Sequence, residues 1–283
     1  MTFDAQTYRS ESRASWDRAA AGWTSRRSAM QRDAAAVSEW LVEAIEPQPG
    51  HVVLEVAAGL GDTGLLAADR VGPEGQVILT DGADAMVAAA AEHAKAQGAG
   101  NVHARQMEAE WLDQGTATVD GVLCRWGYML LADPEAALRE ARRVLKPGGR
   151  IALAAWDPIE VNPWIGVVLQ ALQAEGIAPL PDPAVPGMFS LAAPGHVEEL
   201  LSAAGFGEVV RASVDFAFRA ASLDAWWDHM TTVSISLGAA VKELSPARHY
   251  ALRDAVDAGY APFLDVDGSV RLPARALVAA AEA

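Results

Sequence analysis

A single cysteine, Cys124, in 283 residues leaves no partner for an intrachain disulfide and no set of thiolates for a structural zinc or an iron–sulfur cluster. Positive charge is scarce as well. Lys and Arg number 22 against 37 Asp and Glu, a formal charge of -15 with a pI near 4.7. That balance works against nucleic acid, whose binding draws on clustered basic side chains. A small or uncharged ligand fits better. No apolar run is long enough to span a bilayer, and the opening stretch MTFDAQTYRSESRASWDRAAAGW has polar residues where a signal peptide needs an apolar core. The expectation is a cytoplasmic protein with no metal, no membrane partner and no nucleic-acid partner; both monomer and homodimer fit.

Apolar residues, by contrast, are plentiful. At 51% hydrophobic and 21% charged, the chain can bury a large core as one elaborated domain. Residues 1–32 carry six arginines against Asp4, Glu11 and Asp17. The simplest account is a helical face lying on the acidic body.

Along the chain, Ala34, Val37, Leu41 and Ile45 recur at helical spacing until Pro47, Pro49 and Gly50 stop the pattern. HVVLEVA, at 51–57, is short, β-branched and bounded by glycine, as a buried parallel strand should be. The alternation repeats as helix 63–68, strand 76–80, helix 84–97, strands 101–106 and 119–125, helix 134–145 and strand 150–156. Lys146-Pro147-Gly148-Gly149 forms the stop before the last of these. Strands separated by helices predict a parallel sheet covered on both faces. Seven prolines between 157 and 195 mark a long loop around a helix at 164–174. A helix at 196–204, a strand at 208–219, helical pattern over 223–260 and a strand at 270–281 close the chain. The last two strands, separated by roughly 50 residues, predict an antiparallel pair with the insertion over the active edge.

Gly59-Leu60-Gly61-Asp62-Thr63-Gly64 fits G-x-G-x-x-G directly after a strand, and Asp81 follows at the end of the next strand. Glycine lets the backbone turn sharply and approach a ligand, and a carboxylate there can accept from two ribose hydroxyls. At this point the site suits NAD or S-adenosylmethionine equally. Glycines that merely turn a strand into a helix, with Asp81 as a helix cap, are the plainer reading.

HVVLEVAAGLGDTG, then VILTDGADAMV, RQMEAEWL, VDGVLCRWGYML and LREARRVLKPGGRIALAAW, in this order, resembles the class I S-adenosylmethionine-dependent methyltransferases, particularly the ubiquinone and menaquinone biosynthesis type (methyltransferase type 11-like). The resemblance covers about residues 35–156. It implies an α/β fold, a doubly wound, mostly parallel seven-stranded Rossmann-like sheet with an antiparallel last strand and helical lid insertions. The implied organisation is a helical arm or lid at 1–34, a cofactor-binding core at 35–156, and a remainder at 157–283. The lid insertions of that remainder fall at 157–195 and 222–265. Carried over by position, Glu55 supports the glycine loop and the methionine end of the cofactor, and Gly59 and Gly61 pass beside it. Asp81 takes the ribose, Gly82, Met86 and Ala109 flank the adenine, Glu108 reaches its amino group, and the Arg125 carbonyl receives the ammonium. Glu108 stands where the family usually has aspartate, and Met107 where a small residue is common. An NAD-dependent oxidoreductase meets the glycine fingerprint too, but does not require Glu55 or the MEAEWL and KPGG blocks. A non-catalytic protein that kept the nucleotide pocket is a further alternative.

Methyl transfer from a positive sulfur needs an aligned acceptor more than it needs a catalytic dyad. Trp23, Trp126, Tyr128, Trp156, Phe189 and Trp226 lie in the arm, at strand ends or in the insertions, and suggest an aromatic acceptor pocket. Core filling is the ordinary use of such residues. Where the acceptor must lose a proton, His229 and His196 are the candidate bases.

Overall fold

The computed structural model describes residues 3–283. A seven-stranded sheet in the order β3-β2-β1-β4-β5-β7-β6 carries helices on both faces. β1 (Val52–Val56), β2 (Gln76–Asp81), β3 (Val102–Gln106), β4 (Val119–Arg125) and β5 (Leu145–Trp156) pair in parallel. β7 (Val270–Glu282) runs antiparallel to both β5 and β6 (Val209–Ala220). The doubly wound expectation and its antiparallel closing strand both hold. β5 opens earlier than the sequence pattern suggests, because Leu145 pairs with Val119 before a register shift at the glycine turn.

Period-two alternation divides the core. Leu54, Val56, Val122, Cys124, Ile151 and Leu153 face one side, packed by α4 (Pro134–Val144), α5 (Pro163–Ala174) and α6 (His196–Ala203). Val53, Val77, Leu79, Leu123, Ala152 and Val278 face the other, under α1 (Ala5–Ala44) and α2 (Asp62–Val71). Residues buried on both faces explain why the central strands read as continuous apolar runs. α3 (Asp84–Ala96) lies against β2 and β3.

The sheet order reverses between β1 and β4, the neighbours from which the chain winds in opposite directions. A crevice opens outside the carboxyl ends of the strands at such a point. α1 spans it. The apolar periodicity starts at residue 31 and the resemblance sets a separate helical arm at 1–34, whereas α1 is one helix of 40 residues, roughly 60 Å long, unbroken through residue 34. Asp4 caps it by accepting from the Gln6 amide. The helical stretch after β6 is three helices, α7 (Leu223–Val233), α8 (Ile235–Lys242) and α9 (Pro246–Tyr260). Their Ser222, Ser234 and Ser245 hydroxyls cap each start.

Candidate active site

β1 delivers its carboxyl end into a loop with three left-handed residues, Ala57 (φ 50), Gly59 (φ 54) and Gly61 (φ 77). The last two are glycines, which adopt this region without penalty; Ala57 does not, and strain of this kind gathers at functional loops. A Cβ on Gly59 would meet nothing within 4 Å, so this stretch of backbone lies open to a ligand. A Cβ on Gly61 would sit 2.5 Å from Leu79 Cδ1, so that glycine brings α2 close to the sheet.

Two carboxylates brace the loop. Glu55, at 2% exposure, accepts from the Gly64 amide at 2.7 Å. Burial pushes its carboxyl up to about 8, against the pull of Arg125 and of that amide. Asp81 accepts from Gly59 at 2.9 Å with one oxygen and from Ala83 at 3.0 Å with the other. Burial raises its pKa too, more than the two amides lower it. Each Asp81 oxygen thus keeps a lone pair for a further donor. Beneath the loop, the Arg125 guanidinium meets Ser38 Oγ at 3.1 Å and Asp62 at 3.9 Å, and Arg27 from α1 holds Asp62 at 2.8 Å.

The loop opens into a cavity of about 320 Å³, within the roughly 300–1,000 Å³ of small-molecule sites. One half, beside the loop, gathers Glu55, Gly59, Asp81, Gly82, Met86, Glu108 and Arg125. A ladder of rings builds the other half: Trp126 stacks on Trp156 at 4.4 Å and 9°, and Trp156 meets Trp164 at 4.8 Å. Trp164 then meets Phe218 at 4.7 Å, Phe218 meets Trp226 at 5.6 Å, and His229 lies flat on Trp226 at 5.2 Å. Trp126 holds a left-handed φ of 62, and its indole N–H is buried with no partner.

α1 roofs the cavity and is tied down along its length. Tyr8 donates to the Leu130 carbonyl, Arg9 pairs with Glu110, Arg13 with Glu108 and Arg26 with Asp228, and Trp23 donates to the Val233 carbonyl. The arginine-rich amino terminus therefore lies on the acidic body, as its composition suggests.

Several expected residues lie elsewhere. His196 is surface-exposed, 3.9 Å from Glu199 and away from the cavity. Phe189 and Tyr128 are buried in the core instead of on the wall, because the loop around them turns Met188 and Met129 inward. Ala109 is buried between Glu108 and Glu110, which do line the site, and Gly61 packs on Leu79. Sequence reasoning missed Trp164, Phe218, Met30 and the Tyr8–Trp16 face of α1. For Phe218 a signal existed: Phe216 and Phe218 alternate along β6 and so share a face. A wider, open groove of about 1050 Å³ lies at the amino ends of β2 and β3, the wrong end of the sheet for a ligand crevice. Among the described residues no cluster of His, Cys, Asp or Glu is grouped for a metal ion. Nor, among the described residues, is any helix long and apolar enough to cross a membrane.

A glycine loop at the switch point, flanked by carboxylates near the ends of β1 and β2, marks a doubly wound α/β protein with its ligand crevice at the carboxyl ends of the strands. Residues 53–149 match the family model described as a methyltransferase domain. The chain is 33% identical over 198 residues to the nocamycin O-methyltransferase of Saccharothrix syringae, covering 67% of this chain and 71% of that enzyme. It is 38% identical over 111 residues to the ubiquinone/menaquinone biosynthesis C-methyltransferase UbiE of Cellvibrio japonicus, covering 39% of this chain and 45% of that one. The chain thus spans about half the length of that relative. The fold is shared with the YcgJ protein from Bacillus subtilis, with a TM-score of 0.55, 21% identity and coverage of 87% and 97%. The chain belongs to the S-adenosylmethionine-dependent methyltransferases, and that membership sets aside the oxidoreductase alternative.

Proposed function

We propose that the chain transfers a methyl group from S-adenosylmethionine to a small, apolar or aromatic acceptor, releasing S-adenosylhomocysteine and using no metal. The observation that carries this reading is the pair of carboxylates, buried Glu55 and half-buried Asp81, braced on loop amides beside an open Gly59. The fit is chemical: Asp81 and Glu108 put acid beside the loop, which favours a cationic ligand, and Asp81 keeps lone pairs for ribose hydroxyls. When bound, the donor supplies a methyl group already activated by positive sulfur.

Gly59 and Gly61 shape the loop around the methionine end, and Glu55 holds that loop. Gly82 and Met86 flank the adenine, Glu108 accepts from its amino group, Ala109 offers a backbone amide, and the Arg125 carbonyl receives the ammonium. Trp23, Trp126, Trp156 and Trp226 exclude water and align the acceptor, so that proximity supplies much of the rate. α1 and the segments at 157–195 and 222–265 form the lid over this crevice. His229, on the cavity wall, is the base where the acceptor must lose a proton.

Incubation of the purified chain with donor and a panel of hydroxylated aromatics tests this reading. Acceptor-dependent release of S-adenosylhomocysteine is the expected result. Tight donor binding with no turnover on any acceptor would favour a non-catalytic role for the same pocket.

A further inference from the structure

The charges around the cavity are unevenly distributed. Among the described residues, its cationic wall groups are Arg9, Arg13 and Arg125, and each is already paired, with Glu110, Glu108 and Asp62. All three lie at the cofactor end. Glu55 and Asp81 add further acid there, so the wall as a whole carries more carboxylates than guanidiniums. The acceptor half, from Trp156 to Trp226, offers ring faces and no cation. A carboxylate or phosphate brought into it would lose its water and find no counter-charge, which is the costly case for a buried ion.

Three polar groups of the residues lining this half lack a protein partner. The Trp126 and Trp226 indole N–H groups are buried and unpaired, and Trp126 sits where the ring ladder meets the cofactor end. His229 makes no hydrogen bond. Burial and then Arg26 hold its pKa below the ordinary imidazole value, against Asp33 and Asp228, so it is a neutral base at pH 7. The residues of this half therefore bring two unpaired indole N–H donors, one proton acceptor and flat apolar walls.

We propose that the acceptor is an uncharged, flat molecule presenting a hydroxyl, a phenol or a stabilised enol, and that this half of the cavity rejects anionic acceptors. The inference rests on the methyl-transfer reading and narrows it to oxygen. In the step, the hydroxyl oxygen forms a bond to the methyl carbon as the carbon–sulfur bond breaks and its electron pair returns to sulfur. The hydroxyl proton passes to the His229 imidazole, which later releases it to water. The Trp126 N–H donates to an oxygen of the acceptor, and its stack on Trp156 fixes the direction of that donor.

A matched pair of probes tests this: 2-naphthol and 6-hydroxy-2-naphthoate, titrated at pH 7.5 into the chain saturated with S-adenosylhomocysteine and read by tryptophan fluorescence. We expect 2-naphthol to bind saturably and at least tenfold tighter than the naphthoate. Trp126→Phe, which keeps the stacked ring and removes the N–H, weakens 2-naphthol at least threefold and leaves S-adenosylhomocysteine affinity within twofold. With donor present, His229→Gln lowers kcat on 2-naphthol at least tenfold with a smaller change in KM. Equal or tighter binding of the naphthoate, no saturable binding of 2-naphthol, or an unchanged affinity in Trp126→Phe overturns the acceptor class while leaving methyl transfer standing. Failure of S-adenosylhomocysteine itself to bind overturns both.

Discussion

The Asp81 carboxylate holds the Gly59 amide at 2.9 Å, so the residue ending β2 shapes the loop that follows β1. One side chain thereby serves the loop's conformation and the proposed ribose contact together. Asp81→Ala should weaken donor binding by about 1–3 kcal/mol, the cost of leaving hydroxyls unpaired. Calorimetry with S-adenosylmethionine checks this, and an unchanged affinity would remove Asp81 from the site.

Glu55 gives a stability prediction with a definite sign. Its carboxyl titrates at about 8 in the fold against an ordinary 4.5, so the folded state keeps a proton that the unfolded chain releases. Its contribution is fully present below about pH 4.5 and is lost as pH rises through 8. Glu55→Gln imitates the protonated acid. Thermal melts should show a smaller fall in Tm between pH 6 and pH 9 for the variant than for the parent; parallel curves would contradict the assignment.

His229 is neutral because burial and Arg26 depress its pKa. The acid limb of kcat/KM should therefore lie below the ordinary imidazole value of 6.5, and His229→Gln should abolish that limb. A pH–rate profile with an acceptor of high pKa is the measurement. A limb that survives the substitution would assign proton removal to another group.

Gly61 and Gly98 separate two costs. Both hold positive φ, 77 and 68, but a Cβ at Gly61 meets Leu79 whereas one at Gly98 meets nothing within 4 Å. Gly98→Ala should cost about 1–2 kcal/mol from the backbone alone, and Gly61→Ala about 1–3 kcal/mol more from the clash with a packed side chain. Denaturant melts compare them, and equal losses would mean that Leu79 simply moves aside.

Arg13 pairs with Glu108 across the cavity mouth, and both side chains are partly exposed. The pair should contribute no more than about 1 kcal/mol to stability. Arg13→Ala should leave Tm nearly unchanged while speeding donor association in stopped flow, because Glu108 is then already free. Slower association would mean that Arg13 helps to hold the donor.

The central sheet was legible because β1 and β2 are short β-branched runs between turn residues; β4 matches its expected bounds at Val119–Arg125. The antiparallel pair followed from the length of β6 and β7. The cavity lining was legible where chain order carries it, from Glu55 and Gly59 to Glu108 and Arg125, and in part from residue type, at Trp23, Trp126, Trp156, Trp226 and His229. The contacts of the expected arm were not: Tyr8, Arg9 and Arg13 read as a polar surface, and their partners Leu130, Glu110 and Glu108 lie 122, 101 and 95 residues away along the chain. His196 and Phe189 were chosen for chemistry and loop position, neither of which fixes the direction of a side chain. Trp164 faces the cavity because Asn162, buried and bound to four backbone groups around Arg275 and Asp157, locks the turn before α5. No local pattern announces that.

The central claim is that the Gly59–Gly64 loop, braced by Glu55 and Asp81, is shaped for an adenosyl sulfonium. Calorimetric titration of the purified chain with S-adenosylmethionine, and in parallel with NADH, tests it most directly. The account predicts one saturable donor site per chain, displaced by S-adenosylhomocysteine, and no heat from NADH. Saturable NADH binding with no response to the donor would contradict it.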